Sequence, residues 1–487
     1  MKFFEPTMDP GLKDGAMKSH PITPRTTHEG FQSTTKSTQE AIINGWGRTN
    51  PTRVQLRQPT TTHQLQQLLS SSTIPVTVRG AGRSYADAAI GRSCIETTLH
   101  TKIRSFDSDT GIIDAESGTT LQDLHHVSIP AGWMLPVLPG TSHISVGGAI
   151  ASDVHGKNHV HQGTFGQHVL SLELILPTGQ ILTMSPQTHP DQFWATVSGM
   201  GLTGIISSAK IQLHRIETSY LRSTQTRTRS IEESMDLIKA STQTSSYSVG
   251  WIDAAHSQLR GLVEISTPAP LHALPGNLPG GKLAPRATKM HTFRSLPGNG
   301  IINQASTKAA NTLRWHYQTN PHARIVHFTQ ALTPLDKTDL WPAAFGRQGL
   351  IQYQFALPTV SEKNIPSIFH WLQSIRTVPA LAVLKYFGES SKGLLSFPQP
   401  GWTLALDFPA ATPSLKTTLT ALTALDKVIA AAGGRIYLAK DNRLSAHMLP
   451  LMYPHLQHWQ TIRSEMDPEQ KMDSLLNQRL NLSGMHS

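Results

Sequence analysis

Cysteine is almost absent: Cys94 is the only one among 487 residues. An internal disulfide is thereby excluded, as are zinc and iron–sulfur sites built on several cysteines. Charge is scarce too, at 15% of residues, and aromatic residues make up 6%. With 38% hydrophobic residues, that balance fits a folded enzyme and not a solvated disordered chain. No stretch reaches the run of about eighteen apolar residues that a membrane helix needs. The opening MKFFEPTMDP lacks the apolar segment expected of a cleavable secretory signal. Lys and Arg number 42 against 32 Asp and Glu, but no run of five or six basic residues occurs. The formal +10 therefore points to an anionic small molecule or a lipid headgroup in preference to nucleic acid.

What is present is chain enough for two or three domains at roughly 150 residues each. Residues 1–42, rich in Pro, Ser, Thr, Gly and Lys without apolar periodicity, read as a disordered tail. Order is expected from Gly45-Trp46-Gly47-Arg48 onward. Leu65, Leu68 and Leu69 have helical spacing, and residues 74–78 alternate as a short strand. A second strand is predicted at 111–116, then a helix over 119–127 capped by Thr119 or Thr120. Residues 172–176 and 181–184 flank Pro177-Thr178-Gly179 as a hairpin, and a further strand ends near Ile216. Past Glu217 the composition shifts. Residues 266–300 are crowded with Pro and Gly and are expected to form a mobile lid over a pocket mouth. Strand-like blocks resume at 350–357, 380–387 and 402–408, followed by a helix at 415–432 stopped by Gly433-Gly434.

Two glycine-rich loops carry the chemistry. Arg79-Gly80-Ala81-Gly82-Arg83-Ser84-Tyr85 follows a strand, as a loop does when its amides approach a pyrophosphate. It is not a dinucleotide-binding Rossmann fingerprint, which wants Gly or Ala where Tyr85 stands. A tight turn without ligand remains the bland alternative. The second loop runs from Pro136 to His159 and includes Gly140, Ser145-Val146-Gly147-Gly148, Ser152 and His155-Gly156-Lys157-Asn158-His159. Two separated glycine loops suit a long ligand with a charged middle, such as FAD. His155, His159 and His161 are irregularly spaced with no carboxylate, so a polar loop is preferred to a metal site. On the later strands, Gln352 and Gln354 share one face. Lys385 sits in an apolar run, and Lys440 is followed by Asp441, its simplest structural partner.

RGAGRSYADAA, PVLPGTSHISVGGAIASDVHGKNH, FWATVSGMGLTGII, QYQF, LSFPQPGW and IYLAKDNR together resemble one family. It is that of the flavoprotein oxidase subunits of decaprenylphosphoryl-β-D-ribose 2′-epimerases, within the vanillyl-alcohol-oxidase superfamily. The resemblance runs from about Trp46 to the C-terminus. It implies an α+β fold with a PCMH-type FAD-binding domain (46–216) and a substrate or cap domain on an antiparallel sheet (217–434). A C-terminal segment (435–487) would return to the FAD domain.

The same resemblance implies non-covalent FAD, because Arg83 stands where relatives with covalent flavin carry a histidine. The cofactor would be held by Arg79, Gly80, Ala81, Gly82, Arg83, Ser84, Tyr85, Gly140, Ser145, Val146, Gly147, Gly148, Ser152, His155, Ile206 and Tyr437. Lys157, Trp251, Gln352, Gln354, Lys385 and Lys440 would meet the substrate, with Lys440 and His155 catalytic. The chain departs from the family at 331–336, Thr403 and Ala405, all bordering the sugar site. Implied partners are a lipid-linked or free sugar and an NAD(P)H-dependent keto-sugar reductase. The implied location is cytoplasmic, with peripheral contact at the inner membrane. Two other readings stand beside this one: an oxidase of free aldonolactones or alditols, and a non-catalytic flavin-binding protein.

Overall fold

β-Branched and leucine-rich runs broken by Gly and Pro fold here into three main sheets, as seen in a computed structural model. It describes residues 38–484 except 279, 287–289, 318–319, 337–338 and 411–414. Strands β1 (Gln39–Ile43), β2 (Thr52–Arg57), β3 (Thr77–Arg79) and β4 (Ser93–Glu96) form the first sheet, in the order β1-β2-β4-β3. Only β1 and β2 pair antiparallel; β4 lies parallel to both its neighbours. The second sheet follows from β5 (Ile103–Asp107) and β6 (Ile112–Glu116). The short β7 (Trp133–Met134) stands apart from it. The sheet is completed by β8 (Val169–Ile175), β9 (Ile181–Met184) and β10 (Ile205–Gln212) in the antiparallel order β5-β6-β10-β8-β9. β11 (His214–Arg215) leaves this sheet to pair with β7, so the strand expected to run on to Ile216 is broken after Gln212.

The third sheet has eight antiparallel strands. They are β12 (Tyr220–Thr228), β13 (Tyr247–Ile252), β14 (Gly261–Pro268), β15 (Asn320–His327), β16 (Leu350–Pro358), β17 (Leu381–Phe387), β18 (Gly401–Pro409) and β19 (Arg435–Ile436). Their order is β15-β12-β14-β13-β17-β18-β16-β19. Central strands β16 and β18 are buried on both faces, apolar toward the helices and carrying Gln352, Gln354 and Asp407 on the other side. On one face Ile238, from the helix Ile231–Ser241, packs near Gly250 of β13. On that face too, Tyr353 of β16 gives its hydroxyl to Asp426 of the helix Leu415–Ala431. The opposite face is left for the two glycine loops.

Several expectations shift. Residues 1–37 lie outside the described residues, but Gln39–Ile43 is already a strand, so order begins earlier than Gly45. A short QEAII run has no turn signal of its own; β2 supplies the missing partner. Gly45 and Gly47 then thread between the first glycine loop and β16. A Cβ at Gly45 would lie 2.4 Å from the Tyr85 carbonyl oxygen, and one at Gly47 would lie 2.7 Å from that of Leu350. The helix expected over 119–127 is Leu121–Ser128, with Thr120 and Asp123 forming a reciprocal capping box. The Pro/Gly segment starts inside β14. It is tied down by Ser219 N–H to the Lys282 carbonyl, Phe293 N–H to Asp339 and Leu296 N–H to the Ala343 carbonyl.

The C-terminal stretch is fastened to the first half of the chain. Arg463 and Asp467, both fully buried, pair at 2.9 Å. Arg463 also donates to the carbonyls of Leu202 and Met472, while Asp467 accepts the amides of Lys471 and Met472. Met472 bridges Val76 just before the first glycine loop. Removing one member of such a pair strands the other charge in low dielectric. Asp467→Ala should therefore destabilise the holoprotein by about 3–5 kcal/mol, read as a lowered midpoint in thermal unfolding. An unchanged midpoint would show that the pair does not anchor this end.

Candidate active site

The face of the eight-stranded sheet left bare by the helices presents alternate residues: Val249 from β13, Val383 and Lys385 from β17, Ala405 and Asp407 from β18, Gln352 and Gln354 from β16. Register brings them together, with Gln352 opposite Asp407, Gln354 opposite Ala405 and Lys385 opposite Thr403. Facing them are the two glycine loops. Between lies a cavity of about 350 Å³, mainly apolar in its walls.

Ser145 joins the loops. It caps the helix Val146–Ala151 by accepting the Gly148 amide at 3.3 Å and also accepts that of Ala81 at 3.4 Å. A Cβ at Gly80 would stand 2.1 Å from its oxygen, so residue 80 must be glycine for the loops to meet. The next three amides, of Gly82, Arg83 and Ser84, make no hydrogen bond among the described residues. Consecutive free amides beside a helix N-terminus make an anion cradle. Ser117 Oγ, Arg83 Nε and His155 Nδ1, all on cavity-lining residues, are buried without partners. Donors waiting around a long groove fit the pyrophosphate and ring edges of FAD.

Most of the sequence-predicted residues line this cavity: Gly80 to Tyr85, Gly140, Ser145, Gly147, Gly148, Ser152, His155, Lys157, Ile206, Gln352, Gln354, Lys385, Tyr437 and Lys440. Three do not. Arg79 turns away, donating to the carbonyls of Asn44 and Ala89 and lying 3.3 Å from Glu96, so it braces the loop from behind. Val146 is fully buried in the core, because helical periodicity sends Gly147, Gly148, Ala151 and Ser152 to the cavity instead. Trp251 lies two residues along β13 from Val249, its ring capped by the Arg314 guanidinium at 4.6 Å.

At the centre, His155 accepts a hydrogen bond at Nε2 from the Gln354 amide, 3.1 Å away. Burial, together with Lys385, His159 and Lys440, holds its pKa well below the usual imidazole value, so it is neutral. Tyr437 gives its hydroxyl to the Ser152 carbonyl and stacks on Phe397 at 4.6 Å. His159 accepts the Gly388 amide at 3.1 Å, and His161 bonds the Ser245 carbonyl at 2.9 Å. Lys157 is engaged by the Ala331 carbonyl and, at 3.5 Å, by Glu264.

Lys440 does not pair with Asp441. That carboxylate binds Arg479 at 2.7 Å and the amides of Arg443 and Leu444. The Lys440 ammonium instead lies 3.6 Å over the Tyr85 ring. Burial lowers its pKa to about 7, opposed by Asp407 and assisted by Lys385. Lys385 is lowered to about 8 by burial and by Lys157. Among the described residues neither lysine forms an ion pair.

Sequence reasoning missed Asp407 and Trp341. Asp407 accepts the Gln352 amide at 2.6 Å and the Trp341 indole at 2.7 Å, and Gln352 also donates to the Tyr85 hydroxyl. The available signal was one acid in the apolar run TLALDF. Asp336 is the other unforeseen residue: it accepts both the amide and the hydroxyl of Ser142, and the Thr141 hydroxyl, pinning the cap to the second loop.

A glycine-cradled cavity with free amides along one wall and unpaired lysines along the other defines a flavin-dependent oxidoreductase. Residues 55–185 match the family model for an FAD-binding domain, and residues 410–480 the model for D-arabinono-1,4-lactone oxidase. Over 464 residues the chain is 34% identical to decaprenylphosphoryl-beta-D-ribose oxidase of Mycolicibacterium smegmatis, spanning 93% of this chain and 99% of that protein. Shorter matches include a putative D-arabinono-1,4-lactone oxidase of Neurospora crassa, 32% identical over 27% of this chain and 24% of that protein. Mouse L-gulonolactone oxidase is 28% identical over 34% of this chain and 39% of its own length. The chain belongs to the decaprenylphosphoryl-β-D-ribose oxidase family, and its cofactor is FAD.

Two outcomes are expected. Acid precipitation should release the flavin to the supernatant, since Arg83 cannot form a histidyl link; fluorescence staying with the protein on a denaturing gel would contradict this. Lys440→Ala should keep the FAD, held by backbone amides, yet slow substrate reduction of the flavin by about a hundredfold or more. In the native protein the ammonium is present below about pH 7 and lost above it. The rate should accordingly fall as pH rises through neutrality. Asp407→Asn removes the carboxylate that raises this pKa, so the fall should move to lower pH. A pH profile unaltered in both variants would remove Lys440 from the chemistry.

Proposed function

We propose that this chain oxidises the 2′-hydroxyl of a polyprenylphosphoryl pentose to a ketone. The observation that carries the reading is the charge of the cavity wall: Lys385 and Lys440 are buried there without ion pairs, beside Lys157. Burying unpaired cations is costly unless the ligand brings negative charge. A phosphodiester-linked sugar supplies that charge, whereas a neutral lactone does not. The relative covering nearly the whole chain is named for such a substrate, and the lactone oxidases match only parts of it.

Bound FAD supplies the acceptor for the hydride leaving the carbinol carbon, while the hydroxyl proton passes to a base. The protein's part is placement and charge. Gln354 holds the neutral His155 by its Nε2, and His155 packs edge-on against Phe387 at 4.8 Å, so the ring cannot swing out of the cavity. Asp407 and Tyr85 fix the Gln352 amide between them. Lys440, in low dielectric, stabilises negative charge that develops during the transfer far better than a surface lysine would. Ala405 lines the cavity with a short side chain, and Thr403 on the same strand accepts the Gln354 amide at 3.3 Å.

Inversion at the 2′-carbon requires the ketone to be reduced again, so an NAD(P)H-dependent keto-sugar reductase is the proposed partner. Among the described residues no helix is long and apolar enough to cross a membrane, and a lipid-linked substrate calls for peripheral contact with a bilayer on the cytoplasmic side. The test is an anaerobic screen for flavin bleaching. Polyprenylphosphoryl ribose should bleach the holoprotein at least about tenfold faster than free aldonolactones or alditols. Bleaching by lactones alone would favour the lactone-oxidase reading, and no bleaching by any alcohol would leave a binding protein.

A further inference from the structure

The helix Gln304–Tyr317 is inside out. Its buried positions are polar, Thr307 and Asn311, and Asn311 donates to Asp253 at 3.0 Å. Trp315 is half-buried between the Arg227 and Arg260 guanidiniums, but Leu313 and Tyr317 face outward, 60% and 79% exposed. Ala305, Lys308, Ala309, Thr312, Leu313, His316 and Tyr317 line one continuous shallow groove at helical spacing.

The surrounding chain is equally unusual. Between Glu264 and Asp336 the sequence contains no Asp or Glu and seven Lys or Arg residues. In the same stretch Leu271, Phe293 and Ile301 are exposed at 43%, 43% and 61%. An acid-free, cationic segment that displays its apolar residues is complementary to an anionic, partly apolar surface. It is poorly suited to a protein partner of ordinary mixed charge.

The stripe is coupled to the catalytic cavity at both ends. Arg314, on the inner side of the helix, covers Trp251, two residues from the cavity-lining Val249. Leu296 and Ile301 donate to the carbonyls of Ala343 and Ala344 in the helix Leu340–Ala344, whose Trp341 reaches Asp407.

We infer that the outward face of the helix Gln304–Tyr317 docks on the surface of an anionic lipid bilayer. Leu313 and Tyr317 enter the headgroup region and Lys308 contacts lipid phosphates. The surface itself follows from charge and apolar exposure; its use in presenting a lipid-linked sugar rests on the substrate reading above.

The test is flotation of purified holoprotein with vesicles of phosphatidylglycerol and phosphatidylcholine, and with phosphatidylcholine alone, which needs no substrate. The protein should float with the anionic vesicles and not with the neutral ones, and binding should weaken as salt rises. Leu313→Ser with Tyr317→Ser should reduce the bound fraction about tenfold or more, and Lys308→Glu should reduce it as well. Flavin absorbance and bleaching by a soluble, short-chain phosphoryl pentose should stay unchanged in these variants, so loss of flotation and loss of the substrate reading are separate results. Equal flotation of the native and double-variant proteins overturns the proposal. So does failure of the native protein to bind anionic vesicles. A shift from dimer to monomer in the double variant, seen by sedimentation velocity with no vesicle binding in either protein, would assign the face to a second copy of the chain instead.

Discussion

The two glycine loops can meet only because residue 80 has no side chain. Ser145 occupies the space a Cβ would need, and from there one hydroxyl caps a helix and holds the opposite loop. Everything else in the cavity is arranged around this contact. The free amides of residues 82–84 face outward from it, and the helix that Ser145 begins turns Gly147, Gly148 and Ser152 toward the same space. A larger residue at 80 would separate the loops by more than a hydrogen bond can span. The cradle would then open before any ligand arrived.

The cap side solves a different problem, the burial of cations. Lys385 and Lys440 are lowered to about 8 and about 7, chiefly by desolvation, which brings both close to losing their charge. Asp407 partly offsets that penalty for Lys440 without forming a direct pair, since its oxygens are taken by Gln352 and Trp341. A direct ion pair would have quenched the charge. Distance leaves it available to an anionic ligand, and the flanking amide of Gln352 stays oriented at the same time.

Folding ties these two halves with buried polar contacts as much as with apolar packing. Asp336 fixes the cap to the second loop, Arg479 reaches both Asp87 and Asp441, and the Arg463–Asp467 pair fastens the C-terminal helix region. Such contacts are strongly directional. They set the relative position of loop and sheet more narrowly than hydrophobic contact alone, which suits a site whose parts come from distant segments of chain.

The sequence by itself determined the elements and the class of chemistry. Local alternation placed the hairpin of β8 and β9 and the strands β16, β17 and β18, the run ending at Gly433 placed the long helix, and the glycine loops with the IYLAKD stretch pointed to FAD. These are signals carried within a few residues, or in motifs that survive without knowledge of contacts. Tertiary structure decided what no local pattern encodes. Arg79 and Trp251 sit beside cavity residues in sequence yet face other partners, and Val146 follows helical phase into the core. Asp407 enters the site only because β18 lies between β16 and β17 in register. Lys440, adjacent to an acid in the chain, is left unpaired because Arg479, 39 residues later, claims that acid. Which charge meets which is a property of three-dimensional neighbours, and those are fixed only when the sheets and loops have closed.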